Sequence, residues 1–304
     1  MHGILPLWKP KGMTSHDCVN RLRRILGTKK VGHTGTLDPD VEGVLPMCIG
    51  MATKLASYVT ESAKTYEAEV YLGKATETED REGAVIEEAQ VSTELTIEHV
   101  RNVLDEFTGP ITQIPPLYSA VRVNGKRLYE YAREGIEVER PAREVTISSI
   151  ELMEERLSYT DDGGVTFPIR ITCSKGTYIR TLCVDIGRAL GYPAHMSNLV
   201  RTASGSFVQE EALTFDAIER FAELGEVERH LEPLERGMRH YSRVTVKPDH
   251  EEKVYHGSVF PVPKQLPKTN PFCMMSEDGR MLAIYQIHPT KPNLIKPVRV
   301  FQYE

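Results

Sequence analysis

Apolar and polar positions along this chain repeat with two different periods, and the change from one to the other marks out its elements. Gly3 to Trp8 is a short, mostly apolar run that predicts a strand. Thr14-Ser15-His16-Asp17 then offers a hydroxyl at an N-cap and a carboxylate three residues on. Cys18, Val19, Leu22, Ile25 and Leu26 share one helical face, Arg21, Arg23 and Arg24 lie largely elsewhere, and Gly27 can close the helix. Val44 to Ile49 and Thr65 to Leu72 predict strands. In the second, Tyr66, Ala68, Val70 and Leu72 fall on one side and Glu67, Glu69 and Tyr71 on the other, so Tyr66 belongs to the more apolar face. Residues 97–107 predict a helix, and residues 144–152 and 165–173 predict strands. Ile179, Leu182, Cys183, Ile186 and Leu190 predict a helix ending near Gly191. Mixed elements without strict alternation point to an α+β core with a mixed, largely antiparallel sheet.

Two stretches break this pattern. Residues 113–135 combine paired prolines, tyrosines and the cations Arg122, Lys126 and Arg127, which reads either as an inserted functional arm spanning about 110–140 or as a plain surface hairpin. From about Tyr241 the chain changes character again. Val244 to Val246, Met274 to Ile287 with Asp278-Gly279 at its turn, and Val298 to Tyr303 predict a small β-rich module with a short helix near His250 to His256. The expected division is residues 1–238 and 239–304.

Composition narrows the class. The chain has 304 residues and 40% hydrophobic content, enough for an ordinary core; its longest apolar runs are too short to span a bilayer, and no signal-type segment opens it. A cytoplasmic protein without membrane association is expected. Five cysteines, with no Cys-x-x-Cys pair, suggest inert thiols instead of a disulfide framework or zinc cluster. The net charge of −6 is unevenly spread: residues 1–60 are net +4, residues 61–108 net −9, and residues 170–190 and 240–304 each net +3. Basic islands on an acidic body suit a protein that holds a polyanion on one face, and they equally suit ordinary solvated faces.

The densest chemistry lies in Gly32-His33-Thr34-Gly35-Thr36-Leu37-Asp38-Pro39. Pro39 disfavours helix at Asp38, so the carboxylate sits in a shaped turn. Alone, this loop reads either as an Asp-Pro surface turn or as a built site. His16, His33, Asp17 and Asp38 show no recognised metal-ligand spacing, so no metal is expected.

Five motifs in order carry a resemblance: Leu7-Trp8-Lys9-Pro10-Lys11-Gly12-Met13-Thr14-Ser15, Lys30 through Pro39, Lys64-Thr65-Tyr66, Pro115-Pro116-Leu117-Tyr118-Ser119-Ala120, and Cys173-Ser174-Lys175-Gly176-Thr177-Tyr178-Ile179-Arg180. Over nearly its whole length the chain resembles bacterial TruB-type tRNA pseudouridine-55 synthases. Thr36 stands where many members carry Ala, which leaves the Leu-Asp-Pro frame intact. The last 60 or so residues match more weakly and look like the family's RNA-binding PUA-type module.

The resemblance implies cofactor-free isomerisation of one uridine in the tRNA T-loop, with cleavage of the bond from ribose C1′ to uracil N1 and formation of one to C5. Asp38 is implied as the essential nucleophile or base. Tyr66 is implied to stack on uracil and to help remove the C5 proton, and Arg180 to pair with Asp38 and keep it ionised; without the resemblance, Tyr66 also reads as core packing and Arg180 as one side of a helix-face salt bridge. His33 is implied to fill the space vacated by a flipped base. Lys9, Arg21 and Lys30 are possible phosphate contacts, although each alone reads better as solvated surface, and with Arg122, Lys126 and Arg127 on the arm they are the candidate RNA contacts. A monomer with tRNA as its partner and no obligate protein partner is expected. The alternative is a catalytically silent tRNA-binding or folding protein, which would have no need for Asp38, Tyr66 and Arg180 together.

Overall fold

The computed structural model describes residues 1–302, so Tyr303 and Glu304, the end of the expected C-terminal module, lie outside the described residues. By packing, the chain forms two compact units. One holds Met1–Asp40, Val44–Ser62 and Ser204–Glu304, and the other holds Val41–Gly43 and Ala63–Ala203.

In the first unit, the strand Gly3–Lys9 neighbours the strand Glu42–Ile49, which also pairs antiparallel with Val31–His33. Thr14 caps the helix Ser15–Ile25: its hydroxyl accepts from the Asp17 N–H while the Asp17 carboxylate accepts from the Thr14 N–H. Such a reciprocal cap contributes about 1 kcal/mol. The helix buries Cys18, Val19 and Leu22 against Leu5, Leu7, Leu45 and Met47, with Phe215 and Ile218 of the helix Phe215–Glu223 completing the cluster. Each fully buried large aliphatic side chain there contributes about 1.5–3 kcal/mol.

The C-terminal residues of this unit form their own five-stranded sheet, ordered Arg243–Thr245, Phe272–Met275, Met281–His288, Lys291–Val300 and Phe260–Pro261. Its first pair is parallel and the others antiparallel. One face of it buries Val246, Val254, Phe272 and Tyr285. Cys273, Met275, Met281 and Ile284 instead join Ile4, Val44, Cys48 and Phe207 in one apolar cluster, which is why the module groups with the N-terminal elements.

In the second unit the strands run Ala194–Ser204, Lys64–Leu72, Val165–Cys173, Arg143–Leu152 and Gly109–Gln113, the last four antiparallel, with Val41–Gly43 parallel to the first at Val200 and Arg201. The expected largely antiparallel, mixed sheet is what forms. Gly43 has φ +136°, and a Cβ there would meet the Arg201 carbonyl oxygen at 2.3 Å, so this crossing requires glycine. Gln113 pairs with Arg143, so the excursion from residue 114 to residue 142 leaves and re-enters the sheet at one point, and residues 110–113 belong to the sheet instead of the arm. The arm consists of a two-residue hairpin, Arg122–Val123 with Lys126–Arg127, followed by the helix Leu128–Glu134. The helix Ile179–Leu190 ends at Gly191, left-handed at φ +85°.

All five cysteines are buried and unbridged. Burial pushes the thiols of Cys48 and Cys273 up to about 12 and that of Cys173 up to about 11, so they stay protonated. No helix among the described residues is long and apolar enough to cross a membrane.

Candidate active site

Asp38 is exposed, yet the residues on either side of it are held fast. Leu37 is buried; its N–H donates to the Ser15 hydroxyl at 2.9 Å, and that hydroxyl donates back to the Leu37 carbonyl at 3.3 Å. The Pro39 carbonyl accepts from the Gly12 N–H at 2.9 Å and from the Lys9 ammonium at 3.1 Å. Upstream, buried Thr34 donates through both N–H and hydroxyl to the Pro46 carbonyl. A carboxylate between two anchored neighbours keeps its position without being enclosed.

These anchors come from the segment Lys9 to Ser15, whose part in holding the Asp38 loop was not read from the sequence. Lys9 itself is a correction. It is fully buried, with its ammonium on the Pro10 and Pro39 carbonyls, and so is no surface phosphate contact. A buried ammonium is tolerable only where acceptors replace its water, and these two carbonyls are among those that do so. Arg21 is also committed within the protein: its guanidinium donates to Glu219 at 2.9 Å and lies 4.2 Å from the centre of the Phe215 ring. Lys30 is exposed. His33, half-buried in its strand, stands opposite Met47.

Tyr66 and Arg180 belong to the second unit. Tyr66 is half-buried on its strand opposite Ile171, on the same side as buried Ala68, Val70 and Leu72. Arg180 is buried at the start of the helix Ile179–Leu190. Its Nη1 donates to the Thr78 carbonyl at 2.8 Å and lies 3.5 Å from Asp80 Oδ2, and its Nη2 donates to the Tyr118 carbonyl at 3.1 Å. Buried Gln113 clasps Tyr178, the residue before this helix, accepting from its N–H at 3.0 Å and donating to its carbonyl at 3.2 Å. Thr78, Asp80 and Gln113 were not singled out in the sequence, because only folding joins residues 65 to 102 positions apart.

On the arm, Arg122 and Arg127 are exposed, Arg127 donating to the Tyr129 hydroxyl at 2.9 Å. Lys126 pairs with Glu134 and lies over the Tyr131 ring. A groove of ≈ 1170 Å³ in this unit is bordered by Glu77, Glu79, Glu87, Glu137 and Glu139 against Arg140 and Arg188, a balance that disfavours phosphate there.

Residues 23–179 match the TruB family pseudouridylate synthase N-terminal domain, and residues 180–239 match the tRNA pseudouridylate synthase B C-terminal domain. The chain belongs to the TruB family. Among TruB relatives, tRNA pseudouridine synthase B of Oceanobacillus iheyensis is 55% identical over 100% of this chain and 99% of its own length. The protein of the same name from Bacillus subtilis is 50% identical over 99% and 97%. Among solved structures, an H/ACA RNP bound to a substrate RNA containing 2′-deoxyuridine has a TM-score of 0.74 at 26% identity, covering 99% of this chain and 85% of the other. A Cbf5-Nop10-Gar1 complex gives 0.73 at 28%, covering 99% and 84%. The TruB motifs and the anchors of the Asp38 loop coincide: Lys9, Gly12 and Ser15 lie in the first motif, and Leu37 and Pro39 in the second.

Proposed function

We propose that this pseudouridine synthase acts as a stand-alone enzyme on uridine 55 in the T-loop of tRNAs, with Asp38 as the essential carboxylate. The observation that carries the reading is the double anchoring of the Asp38 loop, which keeps an exposed carboxylate in a fixed place. The full-length similarity to proteins named tRNA pseudouridine synthase B supports tRNA as the substrate.

On this reading the target base is flipped out and its C1′–N1 bond breaks, with Asp38 acting at the sugar as nucleophile or base. Uracil departs as a stabilised anion, which spares the enzyme the second carboxyl that a hydrolase uses to protonate its leaving group. The base turns, C5 bonds to C1′, the C5 proton is lost and N1 gains one, so substrate and product are isomers. Water must be excluded, because it would capture C1′ irreversibly. By the family resemblance, Tyr66 stacks on the uracil and helps remove the C5 proton, Arg180 supports the reaction, and His33 fills the vacated stack. The exposed arm residues Arg122 and Arg127 contact the RNA backbone.

Mass-based mapping of modified uridines in tRNA treated with the pure protein tests this. Conversion at position 55 alone, undiminished by a chelator, is expected; conversion elsewhere, or none, would refute the assignment.

A further inference from the structure

Glu79 has a left-handed backbone, with φ +64°. A residue with a Cβ adopts that conformation only where its surroundings hold it there. The surroundings here are explicit. The Glu79 N–H donates to the Thr76 carbonyl at 3.2 Å, the Met196 N–H donates to the Glu79 carbonyl at 3.0 Å, and the Thr181 hydroxyl donates to the Glu79 carboxylate at 2.6 Å. The turn containing it is closed by Asp80, whose Oδ1 accepts from the Thr78 hydroxyl at 2.5 Å and the Glu82 N–H at 3.1 Å.

The residues on either side of Glu79 both meet Arg180: Thr78 through its carbonyl and Asp80 through Oδ2. Arg180 and Thr181 are consecutive residues in the first turn of the helix Ile179–Leu190. Three successive residues of the turn, 78 to 80, therefore grip two successive residues of the helix, and the middle grip is Glu79 on Thr181. That helix has no acidic residue in its own first turn and no side-chain cap from Tyr178, so the Glu79 carboxylate also brings negative charge to its positive end.

We infer that Glu79 is a positioning residue for Arg180: its left-handed turn aims the Thr78 carbonyl and the Asp80 carboxylate at the guanidinium, and its hydrogen bond to Thr181 locks that turn to the helix. Glu79 touches no reacting atom on this account, which rests on the proposed role of Arg180 in pseudouridine formation. Burial drives the Glu79 carboxyl above its ordinary range, opposed by the Thr181 hydroxyl and the charges of Arg180 and Arg140.

The test is single-turnover pseudouridine formation, with tRNA affinity measured in parallel. The wild-type protein is assayed first; no product from it would refute the function and this role together, whereas a working wild type isolates the role. Glu79→Ala and Thr181→Val are each expected to slow turnover about tenfold while leaving the tRNA Kd within about a factor of two, since small misplacements of a site group act on rate. Glu79→Gln, which still accepts from Thr181, is expected to restore turnover to within about threefold of wild type. The double variant Glu79→Ala/Thr181→Val should be no slower than the slower single variant, because both remove one contact. Glu79→Gly, which adopts positive φ without strain, covers the case of an unfolded alanine variant and should show the same loss. Unchanged turnover in Glu79→Ala or, where that variant does not fold, in Glu79→Gly, an equal loss in Glu79→Gln, or losses that multiply to about a hundredfold in the double variant would overturn the inference.

Discussion

The ammonium of Lys9 lies 3.1 Å from the carbonyl oxygen of Pro39, the residue that follows Asp38. Because Lys9 is fully buried, this contact ties the loop to the first strand at the residue after Asp38, while Ser15 ties Leu37, the residue before it. Lys9→Met keeps the aliphatic stem and removes the donor. It is expected to cost about 1–3 kcal/mol in urea unfolding, through loss of the charge-assisted hydrogen bonds to the Pro10 and Pro39 carbonyls, and to slow turnover more than it weakens tRNA binding. A variant with wild-type stability and rate would show that the loop is held by other means.

The arm offers a second expectation. Arg122→Ala and Arg127→Ala should each weaken binding to all tRNAs alike and reduce the slope of log Kd against log salt by about 1. Lys126→Ala should change the slope less, because its ammonium is already engaged by Glu134 and the Tyr131 ring. Titrations at several salt concentrations separate these cases, and equal slopes in all three variants would contradict the ranking.

His195 gives the expected pH dependence. Its buried ring stacks on Tyr71 and its Nδ1 lies 2.7 Å from the Lys74 carbonyl, and burial holds its pKa below the ordinary 6.5, against the pull of that carbonyl and of Asp80. Below pH 6.5 the unfolded chain therefore binds a proton that the folded state resists, so stability is lost as pH falls through this range and is fully present above it. Thermal unfolding of His195→Gln should decline less over the same interval; an identical decline would assign the effect to other groups.

What was legible in the sequence was what neighbouring residues decide together. The Thr14 and Asp17 cap, the alternation around Tyr66 and the stop at Gly191 all formed as their local patterns predict. The strand Ala194–Ser204 was missed, because its burial follows no clean alternation and its place is set by strands far away in the chain. Lys9 misled for a related reason: a lysine reads as surface charge, and its burial depends on a carbonyl thirty positions on. Arg21 likewise has its partner at Glu219. Asp38 could be singled out by motif, whereas the contacts that fix its neighbours became visible only in three dimensions.

Asp38→Asn tests the central claim most directly, because it preserves the shape of the side chain and leaves the anchors at Leu37 and Pro39 in place. Pseudouridine formation and tRNA affinity should be measured on the same preparation. The account predicts no detectable pseudouridine at position 55 with affinity within about threefold of wild type, since one lost carboxylate removes the chemistry and spares the phosphate contacts. Substantial turnover by this variant would contradict it.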